Sequence, residues 1–97
     1  MVSLNSKYTT FLLTLRNPQG KEVSGQVFVR DGIALANFQD PNLSKQLYDL
    51  EKKKGEKVFY DEKHKLFIQL YKGLKSNEII DKLQREFKKS GGKMIEQ

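Results

Sequence analysis

Twice this chain runs through the same succession. An alternating apolar run meets a tight turn, a second such run follows, and an amphipathic stretch then ends on glycine. The first pass covers Val27 to Gly55 and the second covers Val58 to Gly91. Val27-Phe28 matches Val58-Phe59, Leu47 matches Leu83, Lys52-Lys53 matches Lys88-Lys89, and Gly55 matches Gly91. A hairpin that leads straight into a helix buries its apolar surface most simply by laying that helix on one face. Two such units predict a sheet with both helices on the same side.

The individual segments carry the signals this requires. From Tyr8 to Arg16, Phe11, Leu13 and Leu15 alternate with Thr10, Leu12 and Thr14, the period of a strand. Asn17-Pro18-Gln19-Gly20 is turn chemistry. Glu22 to Arg30 places Val23, Gly25, Val27 and Val29 on one face and Ser24, Gln26, Phe28 and Arg30 on the other. Asp31-Gly32 between two apolar runs predicts a hairpin into a strand over Ile33 to Phe38. Asp40-Pro41 predicts a capped helix start, with Leu43, Leu47 and Leu50 as its apolar stripe and Gly55 as its stop. The cations Lys52, Lys53 and Lys54 suit the last turn of that helix, where they complement its dipole.

A second hairpin is predicted over Lys57 to Asp61 and Lys65 to Lys72, around Glu62-Lys63-His64. In its second strand Leu66, Ile68 and Leu70 point one way, and Lys65, Phe67, Gln69 and Tyr71 the other. Ser76 is read as the cap of a last helix carrying Ile79, Ile80, Leu83 and Phe87, with Glu78–Lys82 and Asp81–Arg85 as pairs four apart.

These elements define an α+β two-layer sandwich: a mainly antiparallel sheet of about five strands with two helices on one face, in the order β-β-β-α-β-β-α. The length of 97 residues fits a single domain over 1–97, with flexible ends expected at 1–7 and 90–97. The element order resembles the sheet portion of a LAGLIDADG-type homing-endonuclease unit. That resemblance covers order alone. No motif-bearing helix with its metal-binding acidic residue precedes the first strand, so no residue role and no nuclease activity carry over.

The chain has no cysteine, and its longest N-terminal apolar run, Phe11-Leu12-Leu13, is far too short to span a bilayer. An intracellular, soluble protein with no membrane association is expected. The net charge is +6, and it is uneven: residues 1–50 carry five Lys/Arg against four Asp/Glu, residues 51–97 thirteen against eight. A basic half of this kind attracts nucleic acid or an acidic protein partner.

Signals for catalysis are sparse. His64 is the only histidine and sits in a turn beside Lys63 and Lys65. Asp61 and Glu62 are adjacent, which on a strand sends them to opposite faces and spoils them as an acid–base pair. Gly91-Gly92-Lys93 lacks the first glycine, the following Ser/Thr and the leading strand of a phosphate loop. The reading is therefore non-enzymatic, with no cofactor and no metal.

The strongest constellation is the second face of the sheet. Phe28 and Arg30 lie on it, Phe59 joins them if Val58 and Tyr60 point inward, and Lys65, Phe67, Gln69 and Tyr71 are expected there too. Aromatics interleaved with cations bind single-stranded nucleic acid, rings stacking on bases while Lys/Arg follow phosphates. On this reading Phe28, Phe59, Phe67 and Tyr71 stack, and Arg30, Lys57, Lys65 and Lys72 meet phosphates. The alternative uses the same aromatics as the core of a protein–protein contact, as an interaction module, a small regulator or inhibitor, or a homodimer. A third arrangement has that face covered by the chain itself.

Overall fold

A computed structural model describes residues 8–16 and 19–97 of the chain. The elements are β1 (Thr9–Arg16), β2 (Glu22–Arg30), β3 (Ile33–Phe38), α1 (Pro41–Lys53), β4 (Val58–Asp61), β5 (Leu66–Leu70), α2 (Ser76–Lys89) and β6 (Lys93–Glu96). They form one six-stranded sheet in the order β4-β5-β3-β2-β1-β6, antiparallel throughout. The expected α+β sandwich is the observed one. Residues 1–7, and Asn17 and Pro18 of the first expected turn, lie outside the described residues.

Both helices lie on one face. α1 packs over β4, β3 and β5, and α2 packs over β6, β2 and β3. Beneath them the register lines up Tyr60, Phe67, Ala36, Val27 and Phe11 in one row across the strands. Val58, Gln69, Ala34, Val29 and Thr9 form the next. Phe11, Leu13, Val27, Val29 and Ile79 are essentially sealed from solvent. Gly25, between Leu13 and Phe38 in the register, has no room for a side chain: a Cβ there would stand 2.6 Å from the Asn37 carbonyl oxygen and 2.7 Å from the Phe38 ring.

Local chemistry explains the helix ends. Asp40 Oδ1 accepts the Asn42 N–H at 3.0 Å, and Pro41 follows as the first helical residue, as expected. Gly55, at φ 84°, turns the chain out of α1 while its N–H donates to the Lys52 carbonyl. The start of α2 differs from expectation. Ser76 is its first helical residue rather than its cap. Glu78 reaches back to accept the Lys75 N–H at 3.0 Å, and Asp31 in the β2–β3 turn accepts the Ser76 N–H at 2.8 Å. The first hairpin thereby ties down a helix 45 residues further on. With Glu78 engaged at the helix start, only the Asp81–Arg85 pair forms, at 3.5 Å. Lys82 instead stands 5.8 Å from the Tyr71 ring centroid.

The expected frayed tail is a sixth strand. Gly91, at φ 77°, ends α2, and the Gly92 N–H donates to the Phe87 carbonyl at 2.7 Å. A Cβ on Gly92 would overlap the tip of the Leu15 side chain and stand 3.0 Å from the Thr14 carbonyl oxygen, so a larger residue in this close return would have to displace Leu15. Lys93–Glu96 then pairs with β1, Met94 opposite Leu13 on the helix side, and the Gln97 N–H donates to the Thr10 carbonyl at 2.9 Å.

Candidate functional site: the helix-free sheet face

With both helices on one side, alternation sends every second side chain to a face that no helix covers. One row across it reads Phe59, Ile68, Leu35, Phe28 and Thr10. The next reads Asp61, Leu66, Asn37, Gln26, Leu12 and Ile95. Above the first row stand Leu70, Ile33 and Arg30. The surface is mostly apolar around Phe59, Ile68, Leu35 and Phe28, with Asp61, Asn37, Gln26 and Arg30 among its polar members. Phe59 keeps 54% of its area exposed and Ile95 60%, and Leu12 and Leu70 are also exposed. Phe28, Ile33, Leu35, Leu66 and Ile68 are half-buried by their neighbours.

The structure brings together part of the expected site and disperses the rest. Phe28 and Phe59 share the open face, in one row, with Ile68 and Leu35 between them. Arg30 stands at one end of this face, its guanidinium 5.3 Å from the Tyr8 ring centroid. Lys57 lies at the same end, its carbonyl accepting the Leu70 N–H, and Lys72 follows β5 there. Lys65 lies at the opposite end, in the β4–β5 turn.

Phe67 and Tyr71 are on the other face, which corrects their expected placement beside Phe28. They are 9% and 6% exposed and belong to the core under the helices. The cause is one residue of turn length. A three-residue turn would pair Asp61 with Lys65. The actual turn spans residues 62–65, and Asp61 pairs with Leu66. The extra residue, Lys65, takes a left-handed φ of 55°. A shift of one residue moves every side chain of a strand to the opposite face. Phe67, Gln69 and Tyr71 therefore turn inward, and Leu66, Ile68 and Leu70 turn out.

Asp61 stabilises that turn. Its Oδ1 accepts the His64 N–H at 3.2 Å, and its Oδ2 lies 2.8 Å from His64 Nδ1. The hydrogen bonds from the His64 side chain and then from its backbone hold the Asp61 carboxyl below its ordinary range. His64 is otherwise exposed and faces solvent. Tyr71 is the opposite case: burial pushes its phenol up, and Glu86, Glu51 and Glu56 add to the rise.

Sequence reasoning missed the aliphatic members of the open face: Leu12, Ile33, Leu35, Leu66, Ile68, Leu70 and Ile95. One signal for them was present. Leu66, Ile68 and Leu70 form an apolar set as regular as Phe67, Gln69 and Tyr71. Such a strand is apolar on both sides, and only register decides which set the helices take.

Among the described residues, no helix is long and apolar enough to cross a membrane. Comparison with protein-family models, with curated proteins and with solved structures finds no match to this chain.

Proposed function

We propose that the chain is a non-enzymatic binding protein whose helix-free sheet face docks protein, with a second copy of the chain as its first partner. One observation carries this reading: Phe59, Ile68, Leu35 and Phe28 stand side by side across four strands, with Leu70, Ile33 and Leu66 flanking them, and no cation interrupts that apolar patch. Exposed apolar surface of this extent is the mark of a contact site. Six strands of four to nine residues, spaced about 4.8 Å apart, give a face of roughly 600 Å² in projection. With side-chain relief counted, this is the scale of the ~800 Å² per partner in a standard interface. The natural complement of an apolar sheet face is another one, packed about 10 Å away as in a β-sandwich, and every copy of the chain supplies one.

Sedimentation velocity between about 5 and 500 μM, concentrations chosen to bracket a micromolar dissociation constant, tests the reading. A dimer that forms with rising concentration, and that Phe59→Ser abolishes, is the expected result. A monomer across the whole range overturns it.

A second reading draws support from Phe28 and Phe59, which share one face, and from Arg30 and Lys57, which lie at one end of the sheet. That is a minimal surface for single-stranded nucleic acid. Binding to an oligonucleotide should then weaken with salt, with a slope of about 0.7 per phosphate neutralised. Binding of that kind, lost in both Phe59→Ser and Lys57→Ala, would replace the dimer reading with this one.

A further inference from the structure

The opposite side of the sheet carries a separate feature. The two helices pack on different halves of the sheet rather than on each other, and the strand between those halves, β3, presents Ala34 and Ala36 upward. Small side chains there leave a cleft of about 460 Å³. Phe67 extends its floor, Leu47 and Leu50 of α1 form one wall, and Leu83 and Phe87 of α2 form the other. Leu50 was expected in the apolar stripe of α1, yet it stays 54% exposed because it stands at the mouth of this cleft.

Gln69 also lines the cleft. It is 6% exposed, and among the described residues its side-chain amide has no hydrogen-bond partner. That amide is not sealed in the core, since among the described residues Ser44 Oγ is the buried side-chain polar atom left without a partner; the Gln69 amide opens onto the cleft instead. Here it faces the space between the helices, where a ligand could supply both a donor and an acceptor.

We infer that this cleft is a binding site for an uncharged, elongated apolar molecule bearing one hydrogen-bonding group, with its body on Ala34, Ala36 and Phe67 and its polar group on Gln69. The volume is that of a small-molecule pocket. Ligand charge is disfavoured because the floor offers no counter-ion, and an unpaired charge is expensive to bury. The mouth carries both signs, Glu51 and Glu86 against Lys54 and Lys89, and so selects neither.

N-Phenyl-1-naphthylamine, uncharged at neutral pH and carrying a single N–H between two aromatic systems, serves as the probe, read by its fluorescence on titration into the full chain. Saturable binding is expected. Ala36→Leu fills the cleft and should weaken binding by about tenfold or more while raising the melting temperature. Gln69→Leu keeps the volume and removes the amide; it should weaken binding by about fivefold, the worth of one hydrogen bond. Phe59→Ser, on the far side of the sheet, should leave the affinity unchanged, which separates this site from the docking face. Absence of saturable binding, binding that Ala36→Leu and Gln69→Leu both leave intact, or binding that Phe59→Ser removes would each overturn the proposal.

Discussion

The helix-covered and helix-free faces of the sheet are cut from the same strands, and β5 shows how alike their raw material is. It gives Phe67 and Gln69 to one side and Leu66, Ile68 and Leu70 to the other. On the covered side α1 and α2 seal Phe11, Val27, Val29 and Ile79 into a core, while the small Ala34 and Ala36 leave a cleft. On the open side large apolar residues stand beside Asp61, Asn37, Gln26 and Arg30, and Phe59, Leu12, Leu70 and Ile95 remain exposed. Hydrophobicity alone therefore does not decide which face becomes core. Turn length sets the register, register sets the face, and the connections that place a helix after each hairpin choose which face is covered.

Mutations in the two faces should separate this comparison sharply. The largest effect belongs to Phe11→Ala, since Phe11 is 1% exposed beneath the helices. Truncating such a side chain costs about 3–5 kcal/mol, read as a lower denaturant midpoint. A loss within about 0.5 kcal/mol, the size of an ordinary surface effect, would mean that the covered face is not the core.

A middle-sized effect comes from Tyr71, which the open-face expectation had placed in solvent. Its folded-state phenol is raised by burial and by Glu86, Glu51 and Glu56, whereas in the unfolded chain it ionises near pH 10. Its contribution to stability is thus intact below about pH 10 and drains away as the pH rises toward the folded value. Tyr71→Phe should lose stability less steeply than the natural chain above that pH in alkaline denaturation. Parallel curves would return Tyr71 to the open side.

The smallest effect on stability belongs to Phe59→Ser. An exposed side chain on the helix-free face should change unfolding free energy by no more than about 0.5 kcal/mol while removing self-association. A loss of several kcal/mol on this substitution would show that the chain itself buries Phe59.

Much of this architecture was legible in the sequence because its signals are local. The Asp31-Gly32 hairpin, the Asp40-Pro41 helix start and the alternation of β1 and β2 each depend on a few neighbouring residues. What escaped depends on distance or on small differences. Asp31 caps α2 across 45 residues, which no local pattern reveals. Lys93–Glu96 is short and charged and becomes a strand only because β1 offers an edge. For the open face, one extra turn residue, Lys65, decided between Phe67 and Ile68, and no periodicity could choose between them. Phe28 and Phe59 stayed on one face, with Arg30 and Lys57 at one end of it, because their placement did not depend on the β5 register.

The central claim, that the helix-free face is where this protein meets a second copy of itself, can be read with single cysteines, since the chain has none of its own. Leu12→Cys lies on that face, and Lys88→Cys lies exposed on α2. Both are labelled with a thiol reagent as the protein concentration rises from low to high micromolar. The account predicts that labelling at position 12 slows as copies pair while labelling at position 88 holds its rate. Equal, concentration-independent rates at both positions would contradict it.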